Sequence, residues 1–244
     1  MSDPREPAKK VFGDLTTPEN VEIVRRKEDL PEELPEAVYV VVDVMYFSTT
    51  SVEILEGGAD QLVVYRELKE KDETEVSLLG GERDESYGAK DGYDLFNSPS
   101  FVEELELEDR SVGLTSTNGA ETVHLIEQAT SEGAETVIGS TVNAKTTAEY
   151  LKESDKPVYI IACGRRGEEI MEDYLGAYLI SAHMEGEVTE ELENNLLEVI
   201  TDATEAYYDD IPDRRRKDLE NHIKNLDGSK VVPVKNGSDP IRFQ

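Results

Sequence analysis

The chain has 244 residues, of which 55 are Asp or Glu and 25 are Lys or Arg, so its formal net charge is −30. This charge argues against nucleic acid as a partner, because binding to a phosphate backbone requires a basic surface. The length accommodates one large α/β domain, and we expect a single domain over residues 1–244 with a loose polar arm over residues 1–20.

The acidic residues are spread over the whole chain rather than gathered in a tail. Hydrophobic residues make up 37% of the chain and form strand-like runs, which indicates a folded core rather than a disordered protein. Because salt screens the repulsion between exposed carboxylates, we interpret the acidity as adaptation to high salt. The expected source is therefore an extreme halophile, a haloarchaeon.

Cys163 is the single cysteine, which excludes an internal disulfide bond and fits a reducing cytosol. No run approaches about 18 consecutive apolar residues, and the N-terminal sequence contains no apolar signal-peptide core. We therefore expect a cytoplasmic protein that neither crosses a membrane nor carries a secretory signal. A homodimer is kept as an alternative to a monomer.

The sequence VYVVVDVMYFSTTSVEIL, residues 38–55, is predicted to be the centre of the fold. Its apolar start predicts a strand buried on both faces, and an edge strand is predicted before it in VEIVRRKEDL. The central strand ends at Asp43, and Ser48, Thr49 and Thr50 follow at the predicted start of a helix. A carboxylate and hydroxyls at a helix N-terminus suit a metal ion or an anionic group, whereas the alternative is a capped turn with nothing bound.

The next predicted strands are residues 61–65 and 76–79, and the second of them leads into the sequence GGER, residues 80–83. An irregular stretch with several Gly, Asp and Glu residues then runs to the sequence NSP, residues 97–99, where a helix capped by Ser98 is predicted to begin. Because long irregular loops in compact domains are usually functional or mobile, this loop is predicted to form a wall of the site.

The same order of strand, polar turn and helix recurs three times in the rest of the chain. Predicted strands 111–114, 136–138 and 158–162 are followed by the polar turns TSTNG, GSTVN and CGRRG and by helices at 120–131, 144–153 and 168–184. A further helix is predicted at 188–208, then a C-terminal helix in DRRRKDLENHIKNL and a last short strand in KVVPVKNG.

This alternation predicts an α/β fold with a mostly parallel sheet and helices on both of its faces, in three layers. Ligands of such sheets bind at the carboxyl ends of the strands. The polar residues that are predicted to meet there are Asp43, Glu82, Arg83, Thr115, Ser116, Thr117, Asn118, Asn143, Gly164 and Arg165.

Several common catalytic motifs do not occur in the sequence, namely the dinucleotide-binding G-x-G-x-x-G, the P-loop and G-x-S-x-G. His124, His183 and His222 lie far apart on predicted helices, without the spacing of metal ligands, and are predicted to be structural or solvated. Cys163 follows a buried strand and is predicted to be a packed thiol rather than a nucleophile.

The remaining chemistry belongs to carboxylate, amide, hydroxyl and guanidinium groups. The carboxylates that offer oxygen ligands for Mg²⁺ are Asp43, Glu82 and Asp173. The backbone N–H groups and hydroxyls of residues 115–119 suit a phosphate, and Arg83 and Arg165 suit anionic oxygens. Each group also has a plainer alternative, which is a solvated acid, an ordinary helix face or a helix cap.

Five blocks of the sequence are similar, in order and over nearly the whole chain, to those of the 2-phosphosulfolactate phosphatase family. VVVDVMYFSTT resembles that family's strand ending in D-V-L-R-A-[ST]-T, and GGERDESYGAKDGYDLFNSP resembles its G-E-R segment with G-x-D-x-x-N-S-P. TSTNGAETV resembles the T-T-N-G-T block, GSTVNAKTTAE the G-x-x-x-N-A block, and ACGRRGEEIMEDYLGA the C-A-G-R-x-G and E-D-x-x-x-A-G block.

The resemblance implies Mg²⁺-dependent hydrolysis of a phosphate monoester on a small acid. It implies catalytic and metal-binding roles for Asp43, Glu82 and Asp173. The substrate site then contains Arg83, Asn118, Asn143, Gly164 and Arg165, beside the turn residues Thr115, Ser116, Thr117 and Gly119. Asp43 is a candidate for nucleophile, metal ligand or base, and the sequence does not separate these roles.

The chain departs from the family pattern at Tyr46, where the family has arginine, and at Phe47, where it has a small residue. An arginine at that position would suit a sulfonate, carboxylate or phosphate, and tyrosine does not supply its charge. The identity of the acid therefore stays open. The alternative function is a protein of the same fold that binds a small anion without turning it over.

Overall fold

A computed structural model describes residues 17–67, 74–81, 83–130, 133–206, 212–238 and 240–244. The strands in these ranges are β1 (Val21–Val24), β2 (Val38–Val42), β3 (Gln61–Tyr65), β4 (Leu78–Gly81), β5 (Leu95–Phe96), β6 (Ser111–Thr115), β7 (Glu135–Ile138), β8 (Val158–Ala162), β9 (Lys235–Ser238) and β10 (Ile241–Phe243). The α-helices are α1 (Phe47–Glu56), α2 (Pro99–Val102), α3 (Gly119–Ala129), α4 (Ala144–Leu151), α5 (Met171–Glu185), α6 (Glu190–Ala206) and α7 (Asp213–Lys217). Two short 3-10 helices, Lys27–Asp29 and Thr141–Asn143, and a π-helical segment, Asp218–Ile223, complete the regular structure of the described residues.

The strands form two sheets. The first sheet has the order β1-β8-β2-β7 and is parallel throughout, with β1 at its edge as predicted. The second has the order β5-β4-β6-β3-β10-β9, in which only the pairs made by β10 are antiparallel. The predicted α/β class with mostly parallel strands is therefore confirmed.

The expectation of one sheet is wrong, and the pairing of β2 gives the reason. Val41 of β2 is paired with Ile138 of β7 on one side and with Ile161 of β8 on the other. The strands that follow β2 along the chain, β3, β4 and β6, pair with one another instead. Alternation of strands and helices predicts parallel pairing, but it does not tell which strands become neighbours.

The side chains of β2 alternate between two hydrophobic cores, as the twofold period of a strand requires. Val38, Val40 and Val42 pack in one core with residues of α4, α5 and α6. Tyr39 and Val41 pack in the other core with residues of α1, α3 and strands of the second sheet. Because α1 and α3 contact strands of both sheets, these two helices lie between the sheets, and the first sheet has helices on both of its faces.

Element boundaries differ from the predictions at a few points. The strand predicted at 76–79 is found at Leu78–Gly81. The last strand, predicted within KVVPVKNG, is found at the end of that stretch as β9, and Val234 before it makes a single bridge to Val137. Residues 1–16 of the predicted arm and the end of the helix predicted to residue 208 lie outside the described residues. None of the helices in the described ranges combines the length and the apolarity that crossing a membrane requires.

Candidate functional site

The two sheets direct the carboxyl ends of several strands into one polar cavity of about 200 Å³. Among the residues predicted from the sequence, those that line it are Asp43, Arg83, Thr115, Ser116, Thr117, Asn118, Gly164, Arg165 and Asp173. These residues follow β2, β4, β6 and β8 or, in the case of Asp173, begin α5. The polar turns therefore meet at one cavity although the strands before them belong to two sheets.

Asp43 is held at this cavity by the turn that follows β6. Its Oδ2 accepts a hydrogen bond from the N–H of Gly119 at 2.9 Å and one from the hydroxyl of Ser116 at 3.3 Å. A Cβ atom at Gly119 would lie 2.2 Å from the ring of Phe47. Only glycine therefore allows α3 to begin so close to α1 that its first N–H reaches the carboxylate.

Asp173 is fixed in a similar way by backbone donors from two other strand ends. Its Oδ1 accepts the N–H of Val44 at 2.8 Å and its Oδ2 accepts the N–H of Gly164 at 3.1 Å. Gly164 has φ +66°, and a Cβ atom there would lie 2.6 Å from the carbonyl oxygen of Glu168. The two buried aspartates thus each depend on a glycine N–H, one at the end of β6 and one at the end of β8.

Glu172 joins the two aspartates at the cavity, a role the sequence analysis missed. Burial raises the pKa of Glu172 to about 7, with the charge of Asp43 acting in the same direction and Arg165 opposing it. Burial also raises the pKa of Asp43, and burial together with repulsion from Asp43 and Glu172 raises the pKa of Asp173 well above its usual range. Burial and, for Glu172 and Asp173, repulsion from neighbouring carboxylates therefore disfavour the ionised forms of these side chains unless a cation compensates their negative charge.

This negative charge fits a divalent cation. Oε2 of Glu172 is buried and has no hydrogen-bond partner, so one carboxylate oxygen of the group lacks a donor. Within the described ranges, no three or more His, Cys, Asp or Glu side chains form a metal-binding group by themselves. Mg²⁺ does not need such a group, because it usually takes one or two carboxylates and completes its shell with water and substrate phosphate oxygens. Asp43 and Asp173 meet that requirement.

The turn TSTNG, residues 115–119, was predicted to offer N–H groups and hydroxyls to a phosphate. Two of its N–H groups already donate hydrogen bonds within the protein. The N–H of Gly119 donates to Asp43, and the N–H of Asn118 donates to the hydroxyl of Ser116 at 3.2 Å. The side chains of Thr115, Ser116, Thr117 and Asn118 belong to the cavity lining. The turn therefore both holds the carboxylate and presents hydroxyl and amide groups to the cavity.

Lys27 does not line the cavity but contacts this turn through Asn118. Its side chain is only 7% exposed, and its Nζ lies 3.4 Å from Oδ1 of Asn118 and 3.5 Å from Oε2 of Glu121. The positive charge of Lys27 also opposes the rise in the pKa of Asp43. It is a positioning residue that the sequence analysis did not single out.

Three predicted site residues, Asn143, Gly119 and Glu82, are not among the described residues that line the cavity. Asn143 does not line the cavity; its Oδ1 accepts the N–H of Ser140, and its Nδ2 donates to the carbonyl oxygens of Ile138 and Val231. Gly119 acts through its N–H on Asp43 rather than as part of the lining. Glu82 lies outside the described residues, although its neighbours Gly81 and Arg83 line the cavity.

The hydroxyls of Ser48 and Thr49 bond inside the protein, whereas the buried hydroxyl of Thr50 has no hydrogen-bond partner among the described residues. Ser48 Oγ donates to the carbonyl oxygen of Val41 and accepts the N–H of Asp43, while Thr49 Oγ1 lies 2.7 Å from Ser140 Oγ and donates to the carbonyl oxygen of Val44. Of the two interpretations of this segment, the capped turn therefore holds for Ser48 and Thr49, whereas Asp43 itself lines the cavity.

The histidines and the cysteine lie outside the cavity lining, as predicted. His124 bonds to the carbonyl oxygen of Val64, and His183 and His222 approach Asp227 and Glu53 at 2.8 and 3.1 Å. Cys163 is fully buried, and burial raises the pKa of its thiol well above the usual value. A packed thiol with this pKa is a poor nucleophile.

Arg215 is the cavity residue most distant in sequence from the predicted motifs. It lies on α7, and its guanidinium carbon is 3.9 Å from the centroid of the Tyr46 ring. No motif marked it, because it is the middle residue of a run of three arginines. The other lining residues that were not predicted as site residues are Met45, Tyr46, Gly81, Phe96, Asn97, Ile170 and Thr204.

Comparison with known proteins agrees with the sequence blocks. A family model described as 2-phosphosulpholactate phosphatase matches residues 24–231, which include every residue placed around the cavity above. The chain is 38% identical over 161 residues to a "Probable 2-phosphosulfolactate phosphatase" of Carboxydothermus hydrogenoformans, and the match covers 62% of this chain and 63% of that protein. A protein of the same description from Thermotoga petrophila is 30% identical over 191 residues, or 77% of each chain.

Proposed function

The chain belongs to the 2-phosphosulfolactate phosphatase family, and from this premise we propose that it hydrolyses the phosphate monoester of a small acid in a Mg²⁺-dependent reaction. 2-Phosphosulfolactate is the first candidate substrate, because it is the substrate in the names of the family and of its relatives. The observation that carries the proposal is the convergence of Asp43, Glu172 and Asp173 with Arg165 and the turn at 115–118 in one cavity. Carboxylates alone would repel a phosphate, so their presence beside cationic and hydroxyl donors indicates a site for a cation together with an anion.

Asp43 and Asp173 would hold the metal ion, and Glu172 would contribute a third negative charge beside them. Bound Mg²⁺ supplies charge neutralisation and polarisation of the phosphoryl oxygens. The backbone donors described above hold both aspartates rigidly, so the site is organised before the substrate arrives. Oδ2 of Asp43 accepts the hydrogen bonds from Gly119 and Ser116, and the backbone N–H of Phe47 also bonds to this carboxylate, so its position is fixed from both neighbouring helices.

In the proposed reaction, a water oxygen forms a bond to phosphorus while the bond from phosphorus to the ester oxygen breaks. The attacking water gives up one proton and the leaving alkoxide of the acid takes up one, so the products are the free hydroxy acid and inorganic phosphate. Arg165 and the hydroxyls of Thr115 and Thr117 would donate hydrogen bonds to the phosphoryl oxygens, whose charge shifts in the transition state. With water as the attacking group, Asp43 would act as a metal ligand or as the base that accepts a proton from this water.

We also propose a cytoplasmic location and activity at high salt. The single, reduced and buried Cys163 is compatible with a reducing compartment, and the net charge of −30 is compatible with a concentrated electrolyte. A small phosphorylated metabolite as substrate agrees with a cytoplasmic location and with activity at high salt.

The proposal is tested by a screen for phosphate release from small phosphorylated acids in concentrated KCl, with Mg²⁺ and with excess EDTA. We expect release from 2-phosphosulfolactate or a closely related acid in the presence of Mg²⁺ and none with EDTA. Stabilisation of the protein by these acids without release from any of them would favour the alternative of an anion-binding protein.

A further inference from the structure

Two arginines share one tyrosine ring at the edge of the cavity. The guanidinium carbon of Arg83 lies 3.9 Å from the centroid of the Tyr87 ring, and that of Arg215 lies 5.6 Å from it. Arg215 also lies over Tyr46, as described above. Arg83, Arg215 and Tyr46 all line the cavity. We call Tyr46, Arg83, Tyr87 and Arg215 the arginine–tyrosine cluster.

Neither arginine of this cluster forms an ion pair with a carboxylate among the described residues, although the charge of Arg83 helps to lower the pKa of the neighbouring Asp84. Nε of Arg215 is buried and donates no hydrogen bond, and Nη1 of Arg83 donates to the backbone carbonyl of Asp84 at 2.9 Å. The neighbouring Arg214, by contrast, pairs with Glu104 at 2.8 Å. In a chain with more than twice as many acidic as basic residues, two arginines beside one ring that form no ion pair among the described residues indicate a site for an anion.

The geometry of the arginines favours a planar or tripodal anion. A guanidinium group stacked on an aromatic ring keeps the N–H groups of its edge available, and these bind carboxylate and sulfonate oxygens in pairs. The stacking also limits the motion of a long side chain, which lowers the entropy lost when the anion binds.

We propose that the arginine–tyrosine cluster binds a second anionic group of the substrate, a carboxylate or a sulfonate, and that Arg215 determines the preference for phosphorylated acids over simple phosphate esters. This inference rests on the proposed phosphatase function. The phosphoryl group belongs near Asp43, Glu172 and Asp173, which are held by the ends of β2, β6 and β8. The cluster is built from other parts of the chain, namely the start of α1, the loop after β4 and helix α7.

A set of three substrates tests the proposal by kinetics. 2-Phosphosulfolactate carries a carboxylate and a sulfonate, 2-phospholactate carries only the carboxylate, and isopropyl phosphate carries neither. In Arg215→Met we expect kcat/KM to fall about 10- to 100-fold for the two acids and by less than about 2-fold for isopropyl phosphate. An equal fall for all three substrates, or no fall for the acids, would overturn the proposal.

Arg216→Met is the matched control, because it removes the same charge from an exposed neighbour on α7. It should leave the ratio of acid to ester unchanged. Arg215→Lys keeps the charge without the planar fork and should recover only part of the preference for the acids. Since Arg215→Lys retains the positive charge over Tyr46, it also provides a folded variant if Arg215→Met is unstable.

Binding of products separates this inference from the proposed function. Calorimetry with sulfolactate and, separately, with inorganic phosphate measures the two parts of the site without turnover. Arg215→Met should bind sulfolactate about 10- to 100-fold more weakly and inorganic phosphate with unchanged affinity. Absence of turnover in the wild-type protein would contradict the phosphatase assignment alone, whereas unchanged sulfolactate affinity in Arg215→Met would contradict the role of the cluster.

Discussion

The guanidinium group of Arg215 lies over the ring of Tyr46, although the two residues are 169 positions apart in the chain. Helix α7, which carries Arg215, is held in place by Asp218 directly after it. The buried carboxylate of Asp218 accepts hydrogen bonds from the hydroxyls of Ser98 and Ser100 and from the N–H of Ser100. Because α7 is anchored against the start of α2, Arg215 places its positive charge beside Tyr46. Tyr46 is the position at which the family pattern has arginine.

Gly119→Ala should disturb the carboxylate site through the backbone. Because the added Cβ would lie 2.2 Å from the Phe47 ring, α3 must shift, and its N–H would move away from Asp43. We expect the free energy of unfolding to fall by about 1–3 kcal/mol and phosphatase activity to fall with it. Denaturant unfolding and phosphate release measure the two effects.

Gly237→Ala is the control for this substitution, because its Cβ would have only ordinary contacts, the nearest at 3.5 Å to Arg242. An unfolding free energy of Gly119→Ala equal to that of Gly237→Ala would show that the close approach of α3 to α1 is not required.

The raised pKa of Glu172 predicts a specific pH dependence of stability. The pKa of this carboxyl is about 7 in the folded protein and near the ordinary 4.5 when unfolded, so the folded state binds the proton more tightly. The resulting stabilisation is fully present below pH 4.5 and is lost as the pH rises through about 7. At pH 8 without Mg²⁺, Glu172→Gln should therefore melt at a higher temperature than the wild-type protein, and the difference should vanish near pH 4.5.

Glu168→Gln removes the same charge from an exposed position and should show no such dependence on pH. Added Mg²⁺ should raise the melting temperature of the wild-type protein at pH 8, since a bound cation stabilises ionised carboxylates. Melting curves of Glu172→Gln and wild type that coincide at pH 8 would contradict the repulsion inferred for this site.

The net charge of −30 predicts stabilisation by salt. Raising KCl from about 0.1 to about 2 M shortens the screening length from about 10 to a few Å and weakens the repulsion among exposed carboxylates. The melting temperature should rise over this range, as measured by circular dichroism. An equal or lower melting temperature in 2 M KCl would count against salt adaptation.

The sequence predicted those parts of the fold that depend on local pattern. β3 and β8 were found at the predicted residues, because each is a short apolar run with polar residues or breakers at both ends. The polar turns after β2, β6 and β8 meet at the cavity, as predicted from the rule that ligands of α/β sheets bind at the carboxyl ends of the strands.

Long-range contacts limited the rest of the prediction. Asn143 follows a strand as the other site residues do, but its amide bonds with the carbonyl oxygen of Val231, which no local pattern reveals. Arg214, Arg215 and Arg216 are identical in sequence and differ only in the surroundings of their side chains. Arg214 pairs with Glu104, Arg215 lines the cavity, and Arg216 is exposed. Glu172 lies beside Asp173 in a run of acidic residues, and only tertiary packing makes it the buried neighbour of two aspartates.

Phosphate release from 2-phosphosulfolactate by the wild-type protein and by Asp43→Asn, in concentrated KCl with Mg²⁺, tests whether this cavity is a phosphatase site built on Asp43. Asparagine keeps the size of the side chain and its ability to accept hydrogen bonds from Gly119 and Ser116, so folding should be retained. We expect the wild-type protein to release phosphate and Asp43→Asn to lose at least about 100-fold in kcat, as for removal of other groups that stabilise transition-state charge. Phosphate release by Asp43→Asn at the wild-type rate would contradict the account.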